Sequence, residues 1–221
     1  MSADLTEGSG PAARPRLLDL FCGAGGCSMG YHRASFDVVG VDNRPQPRYP
    51  FPFVQADALD FLATHGRQFD VIHASPPCQA YTAARPMHGN RHPDLVGTVR
   101  DLLDSTGKLW VIENVPGAPL RFFTTVCGLA LGIKVKRHRL FESNLLLFAP
   151  PCPRRHVGEW YTVFGDGGSR VSRGRKRDAK NGTARLAMGI EWMNRRELSQ
   201  AIPPAYTHYL GVQLRAALEA P

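Results

Sequence analysis

The stretch that organises this chain runs from residue 70 to residue 81 and reads DVIHASPPCQAY. It begins as a strand, because Val71 and Ile72 are apolar and β-branched. Two consecutive prolines then end the strand, since proline lacks a backbone N–H and has a fixed φ. Cys78 follows on a stiff turn, at the edge where open α/β sheets bind ligands. An isolated cysteine in this position is more often structural, so its function depends on what the rest of the chain supplies.

The overall composition limits the possible functions. The chain has 221 residues, enough for one domain with a substantial core, and a net charge of +8, which favours a polyanionic partner such as nucleic acid. No apolar run is long enough to span a bilayer, and residues 1–15 lack the hydrophobic segment of a signal peptide. We expect those fifteen residues to form a disordered tail.

The cysteines argue against a disulfide framework. There are five of them, an odd number, scattered along the chain, which indicates a reducing compartment. Cys152 and His156 are four residues apart, but no second pair is evident to complete a zinc site. Cys127 lies in a segment that reads as packed, and we interpret it as structural. The sequence therefore predicts no metal.

The order of elements predicts a doubly wound α/β fold. Apolar strands are expected at 16–21, 38–42, 53–57, from 70, and from 108, and helices at 58–64, 94–105, 184–194 and 195–201. A glycine-rich turn at 22–26 follows the first strand, where it can bring the backbone close to a ligand. Asp42 ends the second strand, where a carboxylate can accept both hydroxyls of a ribose or form a turn. Asp57 ends the third strand and can also cap the next helix.

Two further features carry charge into the same region. Glu113 closes an apolar strand, where a carboxylate is costly unless it has a partner or is solvated. Arg137 and Arg139 are two residues apart in a predicted strand and therefore share a face, which could point into the site or form a solvated basic edge. Residues 80–93 form a long polar loop, a type that is usually functional or disordered.

Taken together in order, the motifs resemble those of the cytosine-C5 DNA methyltransferases. The matching segments are DLFCGAGG at 19–26, SPPCQ at 75–79, ENV at 113–115 and R-x-R at 137–139. The resemblance covers Leu17 to Leu145 and Ala201 to Leu214, with Val135 standing where the family usually has glutamine. It implies a Rossmann-like S-adenosylmethionine (SAM) methyltransferase fold, a doubly wound, mostly parallel sheet with a reduced recognition appendage.

The resemblance also implies a function for each matching residue. Cys78 would attack C6 of a flipped cytosine, Glu113 would contact N3 and the exocyclic amine, and Arg139 would hold O2. Arg137 would support Cys78 or the backbone, and nearby arginines would raise the thiolate share of Cys78. The residues expected to bind SAM are Phe21, Gly23, Gly25, Asp42, Asp57 and Pro77. The residues expected to bind the substrate are Gln79, Asn114, Arg173, Arg175, Lys176 and Arg177.

We divide the chain into the tail, a catalytic domain at 16–142, a small basic recognition region at 143–187 and C-terminal helices at 188–221 that pack back on the catalytic domain. Within that region, the basic run at 166–185 has seven Lys and Arg residues against two Asp, and it should contact DNA phosphates rather than form a solvated flap. A target of about two to four base pairs is expected from so small a region. Double-stranded DNA is the expected partner, with no membrane and no obligate protein partner, in the cytoplasm of a prokaryotic or phage-infected cell. Two alternatives remain: a tRNA cytosine-C5 methyltransferase, and a DNA-binding protein whose SAM fold is vestigial.

Overall fold

The computed structural model describes residues 13–78, 81, 94–153, 156, 160–163 and 181–220. Seven strands form one sheet: β1 (Arg16–Leu20), β2 (Asp37–Asp42), β3 (Phe53–Gln55), β4 (Val71–Ala74), β5 (Leu109–Asn114), β6 (Thr124–Cys127) and β7 (His138–Ser143). Six helices accompany them: α1 (Gly26–Arg33), α2 (Ala58–His65), α3 (Val96–Thr106), α4 (Asn181–Met188), α5 (Arg195–Gln200) and α6 (Pro204–Glu219).

The sheet has the order β3-β2-β1-β4-β5-β7-β6. Strands β1 to β5 are parallel, and β7 lies antiparallel to both β5 and β6. The chain winds outward from β1 in one direction and returns to start β4 on its other side. The carboxyl ends of β1 and β4 therefore flank the point where the strand order reverses, which is where such folds bind ligands. The predicted doubly wound, mostly parallel sheet is confirmed.

Alternation along the central strands separates two cores. Leu17, Val71 and Val111 belong to the cluster shared with α1 and α6. Their neighbours Leu18 and Ile72 belong to the cluster shared with α2 and α3. Successive side chains on a strand point to opposite faces, so apolar runs without polar alternation are what a strand covered on both sides requires.

The C-terminal helix α6 docks closely on α1. A Cβ at Gly30 of α1 would lie 2.0 Å from Thr207 Oγ1 and 2.2 Å from the carbonyl oxygen of Pro204. Only glycine permits that approach, and the Thr207 hydroxyl donates to the carbonyl of Cys27 at 2.8 Å. The final helix thus packs on α1, the helix that follows the glycine-rich turn.

Several predicted elements differ from the structure, most of them by one or two residues at an end. The helix expected at 184–194 is α4, which ends at Met188 because Gly189 adopts a left-handed conformation with φ 68°. The short edge strand β6 was not predicted, and Arg137 lies just before β7 rather than within it. Residues 1–12 of the expected tail, and most of the loop at 80–93, lie outside the described residues. No helix in the described part of the chain combines the length and the apolar character needed to cross a membrane.

Candidate active site

Cys78 lies on the turn that follows β4, and neighbouring groups fix the shape of that turn. The Asn114 side-chain amide at the end of β5 donates to the carbonyl of Pro76 at 3.1 Å, and its oxygen accepts from the Val115 N–H at 2.9 Å. The Tyr81 N–H donates to the Cys78 carbonyl at 2.9 Å. Cys78 is half-buried and Pro77 is exposed. Asn114, expected to bind substrate, is buried here and holds the cysteine turn.

Glu113 stands next to this turn, on the adjacent strand β5. Its side chain is 7% exposed and forms an ion pair with Arg139, whose Nε lies 3.0 Å from Glu113 Oε1. The pairing follows from the strand register, because Glu113 faces Phe141 across the β5–β7 ladder. Arg139 is two residues from Phe141 and so lies diagonally opposite Glu113 on the same face.

The environment of Glu113 favours its protonated form. Burial raises the pKa of the Glu113 carboxyl, and the attraction of Arg139, a hydrogen bond from Ser75 and the charge of Arg137 partly offset that rise. Desolvation is the largest of these effects. Burial therefore makes Glu113 easier to protonate than a solvated glutamate.

A chain of hydrogen-bonded side chains, Tyr31, His73 and Ser75, lies near Glu113. The Tyr31 hydroxyl lies 2.9 Å from His73 Nδ1, and His73 Nε2 lies 2.9 Å from the Ser75 hydroxyl. Hydrogen bonding by Ser75 also lowers the pKa of Glu113. Burial lowers the pKa of His73 to about 3, so its ring is neutral. If Ser75 donates to Glu113, then His73 Nε2–H donates to Ser75 and Nδ1 accepts from Tyr31. One direction of donation satisfies every member.

The same surroundings act on Cys78. Burial and the negative charge of Glu113 raise the pKa of the Cys78 thiol, while Arg139, a backbone hydrogen bond and Arg137 lower it. The arginines act in the predicted direction, but desolvation outweighs them. The thiol therefore holds its proton in this state, and anything that withdraws the Glu113 charge favours the thiolate.

Arg137 is buried and faces the backbone of the C-terminal segment. Its Nη1 donates to the Ala201 carbonyl at 2.6 Å and its Nη2 donates to the Ser199 carbonyl. Burial, followed by repulsion from Arg139, lowers the pKa of Arg137 to about 9. The Tyr206 hydroxyl donates to the Arg137 carbonyl at 2.6 Å. Of the two functions expected for Arg137, this geometry favours support of the backbone.

The glycine-rich turn after β1 has the shape of a ligand site. Phe21, Gly23 and Gly25 all have positive φ, at 57°, 50° and 86°. For phenylalanine that conformation is strained, and such strain gathers at ligand sites. A Cβ at Gly23 would meet no atom within 4 Å, so the turn faces open space. The Gly23 N–H donates to Asp42 Oδ2 at 3.0 Å, which ties the turn to the end of β2.

The two acids expected at this site keep free acceptor capacity. Asp42 Oδ1 accepts from the Arg44 N–H at 3.0 Å, and each carboxylate oxygen can accept a second bond. Asp57 caps α2, since its Oδ1 accepts from the N–H groups of Leu59 and Asp60 at 2.8 and 3.1 Å. In the part of the chain that the structure describes, its Oδ2 accepts no hydrogen bond, so the cap is compatible with the predicted ligand function.

One residue of this region was not predicted. Asp19 of β1 is 1% exposed, and it accepts a hydrogen bond from the Ser28 hydroxyl of α1 through Oδ2. Its Oδ1 has no hydrogen-bond partner among the described residues. Burial raises the pKa of Asp19 to about 7. The sequence offered two signals for Asp19: it is an acid inside an apolar strand, and it is the first residue of the DLFCGAGG segment.

Five predicted site residues lie outside the described residues. They are Gln79, which follows the cysteine, and four residues of the basic run at 166–185, namely Arg173, Arg175, Lys176 and Arg177. Their functions stay predictions. The structure brings together Cys78, Glu113 and Arg139 at one sheet edge, with Phe21, Gly23, Gly25 and Asp42 beside them across the reversal of strand order.

Comparison with known proteins agrees with this arrangement. The family described as C-5 cytosine-specific DNA methylase matches residues 16–119. The chain is 33% identical over 122 residues to the type II methyltransferase M.XorII of Xanthomonas oryzae, covering 47% of this chain and 29% of that protein. It is 31% identical over 120 residues to M.HgiGI of Herpetosiphon aurantiacus, covering 48% of this chain and 94% of that protein.

A solved structure extends the likeness in fold. A DNA modification methyltransferase encoded within an E. coli prophage aligns with a TM-score of 0.64 at 16% identity, covering 93% of this chain and 100% of that one. The chain spans only 29–38% of the length of M.XorII and two other curated relatives. Because the matched residues include the glycine-rich turn, the Cys78 turn and Glu113, and M.HgiGI is matched over nearly its whole length, this chain belongs to the C-5 cytosine-specific DNA methylase family.

Proposed function

We propose that this chain catalyses the SAM-dependent transfer of a methyl group to C5 of cytosine in double-stranded DNA, with Cys78 as the nucleophile. One observation carries the proposal: the half-buried cysteine on the turn after β4 stands beside a buried Glu113–Arg139 pair, at the edge of the sheet where ligands bind. A nucleophile, a proton donor and a fixed cation are the groups that this reaction requires.

Cys78 addresses the low reactivity of the target carbon. Cytosine C5 is a weak nucleophile, but a thiolate that adds to C6 moves electron density to C5 and makes it enamine-like. Such covalent catalysis replaces one difficult step with easier ones. Methyl transfer to C5 would leave S-adenosylhomocysteine as the second product. A base, which solvent can supply, would then take the C5 proton, and the electrons of that C–H bond would re-form the C5–C6 double bond and expel the Cys78 thiolate. N3 would return its proton, which restores the aromatic ring.

Glu113 stabilises the charge that the attack creates. Addition of the thiolate to C6 places negative charge on the ring, and a protonated Glu113 can donate its proton to N3 as that charge develops. The raised pKa of Glu113 suits this function. Arg139 would hold the base at O2 while its Nε keeps Glu113 in position.

The cofactor pocket fits SAM, which when bound supplies the methyl group as an electrophile. The open space at Gly23 would admit the cofactor, and Phe21 and Gly25 would line it. Asp42 would accept the ribose hydroxyls through its remaining lone pairs, and Asp57 Oδ2 would accept the adenine amino group. Pro77, exposed at the same edge, would complete the wall.

Recognition of DNA rests on charge and on the regions around the site. The target base must leave the duplex, at a cost of a few kcal/mol of stacking and pairing. The net charge of +8 and the basic run favour contact with phosphates, and Gln79 would contact the extruded base. Because the proposed substrate is genomic or phage DNA, we expect the enzyme to act in the cytoplasm of a prokaryotic or phage-infected cell.

The decisive test is product analysis on two substrates side by side. The full chain is incubated with labelled SAM and either duplex DNA or tRNA, and the nucleosides are identified by mass spectrometry. We expect 5-methylcytosine in DNA only. 5-Methylcytosine in tRNA alone would show that the substrate is tRNA rather than DNA. N4-methylcytosine or N6-methyladenine in DNA would refute methylation at C5 of cytosine. DNA binding that needs no SAM and gives no product would show that the methyltransferase fold is vestigial.

A matched variant separates chemistry from binding. Glu113→Gln keeps the shape of the side chain but removes the proton donor. We expect kcat to fall by about 10²–10³, as when a single transition-state hydrogen-bond donor is removed, while SAM binding persists because its pocket lies at other strand ends. Unchanged kcat in Glu113→Gln would exclude Glu113 from the chemistry.

A further inference from the structure

Two cysteines and two histidines gather where β6 and β7 form the last pair of strands in the sheet. They are Cys127, His138, Cys152 and His156, and one candidate ligand atom from each lies within 4.8 Å of all the others. Cys127 ends β6 and His138 begins β7, and the two are directly paired in the antiparallel register of those strands. Cys152 and His156 come from the segment beyond β7. Two independent parts of the chain thus converge on one point.

The distances suit a tetrahedral ion. Cys152 Sγ lies 3.2 Å from Nε2 of both His138 and His156, and Cys127 Sγ lies 3.8 Å from His156 Nε2. Zinc in proteins has Zn–S bonds of about 2.3 Å and Zn–N bonds of about 2.0–2.1 Å, which at tetrahedral angles separates sulfur from nitrogen by about 3.6 Å. The side chains therefore already stand at nearly the spacing that a shared ion would impose.

We propose that this cluster binds one Zn²⁺ through the two cysteine thiolates and the Nε2 atoms of the two histidines. Four protein ligands form a closed site, which is the structural kind of zinc centre rather than the catalytic kind. Two soft sulfurs with two imidazole nitrogens select zinc among the common divalent metals. Both thiols lose their protons on binding, and the protons pass to solvent.

The site would fasten the segment beyond β7 to the edge of the sheet. Cys152 stands between Pro151 and Pro153, which stiffen the chain around it. The Trp160 indole N–H donates to the His156 carbonyl at 3.2 Å, and Lys136 Nζ lies 4.9 Å from the centre of the Trp160 ring. A metal there would order the beginning of the region that we assign to DNA recognition.

The cluster also adjoins the active site through β7, the strand that contains both His138 and Arg139. His138 immediately precedes Arg139, and Arg139 Nη1 donates to the His138 carbonyl at 2.8 Å. A zinc ion at His138 would fix the start of β7, and with it the base of the arginine that pairs with Glu113. The metal proposal itself rests on the cluster alone and does not depend on the proposed methyl transfer.

The experiment uses the full chain, purified without a polyhistidine tag and without chelators. Elemental analysis should find one zinc per chain. Protein produced with cobalt in place of zinc should show the intense visible bands of tetrahedral Co²⁺ and a thiolate-to-cobalt absorption in the near ultraviolet. These measurements need no variant, so they decide the matter even if the variants fail to fold.

Paired variants then locate the ion. Cys152→Ser and His156→Ala should each lose the zinc, while Cys78→Ser and the exposed His208→Ala should each retain one equivalent. Three results would overturn the proposal: native protein without metal, a disulfide between Cys127 and Cys152 in protein kept under reducing conditions, or cobalt protein without the thiolate absorption. An iron–sulfur centre at the same residues would overturn the choice of zinc.

Discussion

The buried aspartate of β1 gives a prediction whose size follows from the structure. Burial raises the pKa of Asp19 from 3.8 to about 7, with smaller contributions from the charges of Asp42 and Glu113. Between those two pH values the folded protein keeps a proton that the unfolded chain has lost. Stability therefore falls as pH rises through this window and stops falling above it. The asparagine of the Asp19→Asn variant does not titrate, so this part of the pH dependence of stability should disappear.

The expected magnitude follows from linkage. Each pH unit within the window changes the free energy of unfolding by about 1.4 kcal/mol, so the full window corresponds to about 4 kcal/mol for this buried group. Between pH 5 and pH 8 only the part below the folded pKa contributes, which leaves about 3 kcal/mol. From pH 5 to pH 8 the free energy of unfolding of Asp19→Asn should therefore rise by that amount relative to wild type. A pH-independent difference, caused by the altered hydrogen bond to Ser28, adds to this change.

Urea unfolding of ligand-free protein at several pH values measures the difference. Asp37→Asn is the matched control, because Asp37 is an exposed aspartate at the start of the neighbouring strand β2 and its replacement removes the same formal charge. Only the slope of the free energy of unfolding against pH is informative, because the constant difference between Asp19→Asn and wild type does not depend on protonation. Parallel stability curves for Asp19→Asn and wild type would refute the assignment of a raised pKa to this carboxyl.

Two further predictions concern ion pairs and the basic run. Arg100 of α3 and Glu142 of β7 form a buried pair, with Nε to Oε1 at 2.5 Å and Nη2 to Oε2 at 2.8 Å. In urea unfolding, Arg100→Met should lower the free energy of unfolding by about 3–5 kcal/mol, because the buried Glu142 carboxylate loses its cation. Arg215→Met breaks the surface pair with Glu219 and should lower it by less than about 1 kcal/mol. Equal losses in the two variants would contradict this difference between buried and surface pairs. Neutralising four residues of the basic run should weaken DNA binding, and the slope of log affinity against log salt concentration should flatten by about one unit for each lost phosphate contact. Sequencing of methylated DNA should still show the same target site. If the variant kept its affinity but methylated a different site, the run would read bases. The variant combines changes at Arg173, Arg175, Lys176 and Arg177.

Much of the fold could be predicted because buried parallel strands leave a clear pattern. Apolar runs such as the one at Val71 and Ile72, followed by proline, glycine or an acid, mark strands and the ends that carry ligands. Glu113 was recognisable as a costly charge at the end of an apolar strand and as part of the ENV segment, whereas Arg139 was recognisable only through the R-x-R resemblance. Their pairing at 3.0 Å required the register of β5 and β7.

What could not be predicted depends on contacts between distant residues. Cys127 and His138 carry no motif spacing, and only the β6–β7 register places them opposite each other. Cys152 with His156 therefore looked like an incomplete metal site. Arg100 and Glu142 are 42 residues apart, and their pairing depends on how α3 packs on the sheet. The end of α4 was misplaced because Gly189 adopts the left-handed conformation that stops a helix.

The most direct test of the central claim is covalent trapping of the nucleophile. Duplex DNA carrying 5-fluorocytosine blocks the last step, because fluorine at C5 cannot leave as a proton does, and the enzyme stays bound to C6. With SAM present, wild type should give a stable protein–DNA adduct, and peptide mapping should place the link at Cys78. Cys78→Ser should bind SAM normally and give no adduct. An adduct that persists in Cys78→Ser, or one mapped to another residue, would contradict the account.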